Sequence, residues 1–97
     1  MYTENQVKIA ALAKALSHPV RVKIIEILAK RKTCVCGEIV DLLPLSQSTV
    51  SQHLKELKKA EIIKGEIDRP RTCYCLNNIT LLKAKKMFAK LFSECCG

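Results

Sequence analysis

The chain contains no uninterrupted apolar run near the ~18 residues of a membrane helix, and its first residues, MYTENQ, have neither the basic start nor the apolar centre of a signal peptide. Membrane insertion is therefore not expected, and the composition reads as cytoplasmic. None of the six cysteines stands in a C-x-x-C spacing, which disfavours structural zinc modules and thioredoxin-like redox sites. There is no Gly-rich phosphate loop and no Cys-His-carboxylate set that the sequence would gather, so an enzyme and an organic cofactor are not expected. No repeat, linker or low-complexity tract divides the chain, so residues 1–97 are expected to form one domain.

What is present is a soluble-type composition, 48% apolar with 27% charged residues, enough for one modest core. The 17 Lys and Arg outnumber 9 Asp and Glu, giving a net charge of +8. If these charges gather on one face, they favour a polyanionic partner. Reduced thiols are the default for the cysteines, because the aliphatic helices can pack without staples. The thiols come in pairs: Cys34 with Cys36, Cys73 with Cys75, and Cys95 with Cys96.

The apolar periodicity is mostly helical. Residues 5–16 align Ile9, Leu12, Ala13 and Leu16, and Ser-His-Pro at 17–19 stops that helix and starts another, with Pro19 suited to the first turn. The second helix, to Arg31, buries Val20, Ile24, Ile27 and Leu28. A short helix over GEIVDLL, ended by Pro44, is expected next. In the following helix Ser46 caps the start, and Val50, Leu54 and Leu57 form the buried stripe.

The outer face of that helix carries the functional signal. Gln47, Ser48, Thr49, Ser51, Gln52 and His53 are amide, hydroxyl or imidazole side chains, with no carboxylate before Glu56, and Lys55, Lys58 and Lys59 follow. Amides and hydroxyls can read base edges in the major groove, while lysines neutralise phosphates. Beyond it, IIKGEIDRPRTCYCLNN reads as two strands joined by a basic turn at Asp68, Arg69, Pro70 and Arg71, with Tyr74 and Leu76 on one face and Cys73 and Cys75 on the other. The last helix sets Leu81, Ala84, Met87, Phe88 and Leu91 opposite Lys83, Lys85, Lys86 and Lys90. This order is that of a winged helix-turn-helix, mainly α with a small β-hairpin. In it Ser46 to His53, the three lysines, Arg69 and Arg71 would meet DNA. The apolar stripes of the first and last helices exceed the needs of one small domain and suit a two-fold interface.

The run from LSHPVRVKIIEIL through LSQSTVSQHLKELKKAEII to CYCL resembles the ArsR/SmtB family of metal- and metalloid-responsive repressors over nearly the whole chain. C-V-C at 34–36 resembles the box that the family's arsenic and antimony sensors carry at their short third helix. The resemblance implies a homodimer formed by the first and last helices, bound to operator DNA until As(III) or Sb(III) takes cysteine thiolates. Cys34 and Cys36 would be ligands. Two departures are plain: Ile39 stands where relatives often have a third cysteine, and Thr33 where they have an acid. Cys95 or Cys96 could supply the third sulfur from the chain end or be inert there, with Cys73 and Cys75 ranked behind them. The last helix lacks the Asp and His from which some relatives build a zinc site.

Within a regular helix two residues apart differ by ~200°, so Cys34 and Cys36 could share an ion only at a frayed helix end. The partial positive charge of such an end, with Lys30, Arg31 and Lys32 just before it, would favour thiolates, which select soft ions such as Cu(I) and Zn(II). The alternative on the same fold is a thiol redox or reactive-sulfur sensor, in which the paired cysteines form disulfides or polysulfides.

Overall fold

The computed structural model describes residues 1–31, 34–36, 39–68 and 71–96; for Cys36, Glu66, Ile67, Asp68, Arg71 and Thr72 it describes the backbone alone. Helix α1 (Glu4–Ala15) opens with a reciprocal cap, in which Thr3 Oγ1 accepts from Gln6 N at 3.1 Å and Gln6 Oε1 accepts from Thr3 N at 2.9 Å. Helix α2 (Pro19–Arg31) starts at the proline, whose missing N–H costs nothing in a first turn. His18 takes the capping role there, its Nδ1 accepting from Val20 N at 3.1 Å.

Strand β1 (Val35–Cys36) follows α2. The short helix expected over residues 37–43 is absent: residues 39–42 form turns and 43–45 bends, while Gly37 and Glu38 lie outside the described residues. Seven residues before a proline give too few hydrogen bonds to offset helix nucleation. The segment instead keeps one turn, Leu43 N to Val40 O at 3.3 Å, which still buries Ile39 and Leu43.

Helix α3 (Gln47–Lys59) is capped by Ser46, whose side chain accepts from Thr49 N. It ends with Glu61 at φ 61°, where Glu61 N donates to Lys58 O at 2.9 Å and Ile62 N to Leu57 O at 3.0 Å. That bond pair is the Schellman arrangement, and its apolar partners Leu57 and Ile62 are both fully buried. The chain then enters β2 (Ile63–Asp68) and returns as β3 (Arg71–Leu76), with Asp68 opposite Arg71. Strand β1 adds to the free edge of β3, so the hairpin becomes an antiparallel sheet ordered β1-β3-β2. Helix α4 (Asn78–Cys96) completes the chain and packs against α1.

Ile24, Leu28, Val35, Ile39, Val50, Leu54, Leu57, Ile62 and Ile63 form the core, with Leu12, Leu16, Tyr74 and Leu76 packed around it. Every element before α4 therefore contributes to one apolar cluster. The radius of gyration, 14.6 Å, exceeds the ~12.5 Å of a compact chain of this length, and the molecule is elongated, 46 × 23 × 23 Å. The far end of α4 leaves Leu91 and Phe92 exposed. Among the described residues no helix is long and apolar enough to cross a membrane. The architecture is a winged helix-turn-helix.

Candidate nucleic-acid interface and its thiol face

Helix α3 is divided along its length by burial. Val50, Leu54 and Leu57 point into the core at 0–3% exposure, and Gln47, Ser48, Thr49, Ser51, Gln52, Lys55, Lys58 and Lys59 are exposed. The amide and hydroxyl groups thus occupy the first two turns of the outer face and the lysines the last two. Ser46 and Thr49 are partly committed to the cap, their hydroxyls 2.9 Å apart, with Ser48 Oγ 3.2 Å from Ser46 Oγ. Gln47 and Gln52 carry the long exposed amides of this face.

His53 stands differently from the rest. It is half-buried, its Nδ1 accepts from Arg21 Nε at 3.1 Å, and its ring centroid lies 4.4 Å from that of His18. Withdrawal from water, then the facing His18 and Arg21, hold its pKa below the ordinary 6.5. Arg21 also donates from Nη1 to the carbonyls of Lys14 at 3.4 Å and Ala15 at 3.3 Å. One guanidinium therefore closes the C-terminal end of α1, stands on α2 and grips α3. Nothing in the apolar spacing of α2 singled out Arg21; its place two residues after the helix-starting Pro19 was the available signal.

The wing lies beside the C-terminal half of α3. A Cβ at Gly65 in β2 would come within 3.2 Å of Lys58 Nζ and 3.4 Å of its Cε, so the bare backbone there gives the lysine stem its path across the strand. Arg69 lies outside the described residues, and Arg71 is described by its backbone, at the start of β3. Lys32 and Thr33 also lie outside them.

The cysteines are arranged across strands. Cys34, one residue before β1, is disulfide-bonded to Cys75 of β3, 41 residues away in sequence, with 4.4 Å between Cα atoms. Val35 is the Cα partner of Tyr74 and Cys36 that of Cys73. Cys73 is buried and also disulfide-bonded. The expectation of reduced thiols is thus not what the structure shows. Opposed positions of an antiparallel pair come within disulfide reach, whereas neighbours two apart on one strand do not. Where a helix end was expected, Cys34 leads into strand β1 and Cys36 lies in it, so helix-dipole activation of these thiols has no basis here. Cys95 and Cys96 are free, exposed and inside the last turn of α4, with Cys95 Sγ 3.5 Å from Leu91 O. Among the described residues no group of three His, Cys, Asp or Glu side chains is set to hold a metal ion. The sequence signal for the Cys34–Cys75 pairing was the repetition of C-x-C on two segments that can run antiparallel.

A sequence profile described as bacterial regulatory protein, arsR family, matches residues 18–64, which run from the cap of α2 to the start of β2. The chain is 38% identical over 69 residues to the transcriptional repressor PagR of Bacillus anthracis, covering 71% of this chain and 69% of that protein. It is 28% identical over 71 residues to the arsenical resistance operon repressor of Staphylococcus xylosus, covering 73% and 67% respectively. Among solved structures, HlyU from Vibrio cholerae superposes with a TM-score of 0.74 at 27% identity, over 99% of this chain and 100% of that one.

Proposed function

The chain belongs to the arsR family of bacterial regulatory proteins, and from that premise we propose that this repressor binds operator DNA as a cytoplasmic homodimer and is released when As(III) or Sb(III) occupies its paired cysteine sulfurs. The exposed amide and hydroxyl groups of α3 would read base edges, with Lys55, Lys58, Lys59 and the wing residues Arg69 and Arg71 on phosphates. Helices α1 and α4 would form the two-fold contact.

The observation that carries the sensing half is the Cys34–Cys75 link, which ties the segment before α3 to the wing. Sulfur chemistry at that joint acts on the spacing between the two DNA-contacting elements. In arsenous acid three hydroxyls exchange for three thiols with release of three waters, so Cys34 and Cys36 would need one more sulfur. The arsenical repressor of Staphylococcus xylosus supports this class of inducer. Such a ligand shifts the equilibrium only as far as it prefers the form that does not bind DNA.

A second reading, disulfide exchange as the signal itself, is favoured by the same bond. Both are tested by operator binding of the reduced, oxidised and arsenite-treated chain, with intact mass recorded for each. Release accompanied by an arsenic adduct supports the first reading, and release with loss of two hydrogens per disulfide supports the second. A Cys34→Ser, Cys36→Ser double variant that still leaves the operator at the wild-type arsenite concentration would refute the arsenic site.

A further inference from the structure

The ladder between β1 and β3 sets Cys36 opposite Cys73 and Val35 opposite Tyr74, and the next step outward brings Cys34 to Cys75 at 4.4 Å between Cα atoms. Positions two apart on a strand share a face, and directly opposed positions share it too. The four cysteine positions therefore occupy the corners of one rectangle on one face of the β1–β3 pair. Val35, 4% exposed, and Tyr74, packed on the core, belong to the opposite face. The rectangle is 4.4 Å along its short edge at Cys34 and Cys75 and about 6.8 Å along the strand, twice the rise per residue. Each Cα then lies about 4 Å from the centre in projection, a span that a cysteine side chain and one metal–sulfur bond of about 2.3 Å can close.

We infer that the reduced chain binds one Zn(II) ion through the four thiolates of Cys34, Cys36, Cys73 and Cys75, clamping β1 to the wing strand. The inference concerns the sulfur face already read as the sensor, rests on that reading for its regulatory consequence, and assigns the face a second class of ligand. Four thiolates in tetrahedral array suit a divalent d10 ion, whereas As(III) leaves the fourth sulfur unused. On the neighbouring strand Lys64 is the Cα partner of Cys75 and Glu66 that of Cys73, so one cationic and one anionic position border the face. Cys34 is exposed and Cys75 half-buried, so the site opens to solvent on the Cys34 side. Cys95 and Cys96, on α4, take no part.

Disulfides and the ion exclude one another, because oxidation to each S–S bond consumes the two thiolates that would ligate the ion. A phosphine with one water cleaves each disulfide to two thiols and leaves as the phosphine oxide, and the incoming cation then displaces the thiol protons.

The test uses the full chain, reduced with a phosphine under nitrogen and titrated with Co(II) as the spectroscopic probe, followed by Zn(II) displacement. The expected result is one Co(II) per chain, with thiolate charge-transfer absorption and the intense ligand-field bands of a tetrahedral site. Cys75→Ser should weaken cobalt affinity roughly tenfold or more and change the spectrum, while Cys95→Ser with Cys96→Ser should change neither. Because Cys73 is buried, Cys73→Ser is read beside its helical circular dichroism, and Cys75→Ser carries the conclusion should it misfold. No cobalt uptake by the reduced chain, an unchanged spectrum in Cys75→Ser, or a requirement for Cys95 or Cys96 would each overturn the inference. Arsenite release of the operator without cobalt uptake overturns it and leaves the proposed inducer standing; cobalt uptake without arsenite release does the reverse.

Discussion

Arg21 donates from Nε to Nδ1 of His53 at 3.1 Å, joining the second helix to the DNA-facing one. The bond needs an unprotonated Nδ1. Withdrawal from water and the facing His18 and Arg21 all disfavour the imidazolium, which is why the His53 pKa is lowered from 6.5. An unfolded chain takes up this proton first as pH falls. Stability attributable to His53 is therefore fully present above pH 6.5 and is lost as pH drops from there through the lower folded-state value.

The expected outcome is a urea midpoint that declines as the pH falls below the ordinary His value of 6.5. His53→Asn keeps an acceptor near the Nδ1 position without the titration and should flatten the decline. An equal decline in the variant would assign the effect to other groups.

Glu61 closes helix α3 in the left-handed region at φ 61°, where a side chain meets its own backbone and glycine does not. Glu61→Gly should stabilise the fold by about 0.5–1 kcal/mol, because the conformational relief at this position exceeds the added freedom of the unfolded chain. Equilibrium urea unfolding measures it, and a lower midpoint in the variant would contradict the strain argument.

The helices were legible in the sequence because their apolar spacing and stop signals agree: Pro19 starts α2, Ser46 caps α3, and Val50, Leu54 and Leu57 are buried as their spacing requires. The segment after Arg31 was not. Ile39 and Leu43 have helical spacing, yet one turn before Pro44 was all they could support, and Val35 found a better environment opposite Tyr74. Helical rotation separates Cys34 from Cys36; strand alternation unites them on one side and brings in Cys73 and Cys75, which the hairpin pattern alone had assigned to its outer face. Cross-strand partners depend on register, which a local pattern does not encode. His53 illustrates the same limit, since its position on α3 does not disclose Arg21, the tertiary neighbour that donates to its Nδ1.

Operator binding should separate the two halves of the α3 face. Exposed Lys55 and Lys59 would each release about one counterion on contact with phosphate, so Lys→Gln at either should lower the salt slope by about 1 and weaken all sequences alike. Gln47→Ala or Gln52→Ala should instead cost about 1–3 kcal/mol at particular base pairs and leave the slope unchanged. Fluorescence anisotropy with operator variants at several salt concentrations reads both quantities. A salt slope unaffected by the lysine variants would remove α3 from the phosphate backbone.

The far end of α4 gives a test of assembly. Leu91 and Phe92 are 39% and 56% exposed there, and Ile79 and Leu82 on the same helix are 68% and 58% exposed, an apolar surface larger than a monomer needs to show water. A second copy packed along α1 and α4 would cover it and set the two α3 helices ~34 Å apart, one turn of DNA. Leu91→Asp with Phe92→Asp should leave the fold intact, because neither side chain is buried, yet place charge in the two-fold contact. Sedimentation velocity should then find a monomer at micromolar concentration where the parent chain is a dimer, with palindromic operator affinity lowered and the helical circular dichroism retained. A parent chain that sediments as a monomer, or a variant that stays dimeric, would move the interface away from α4.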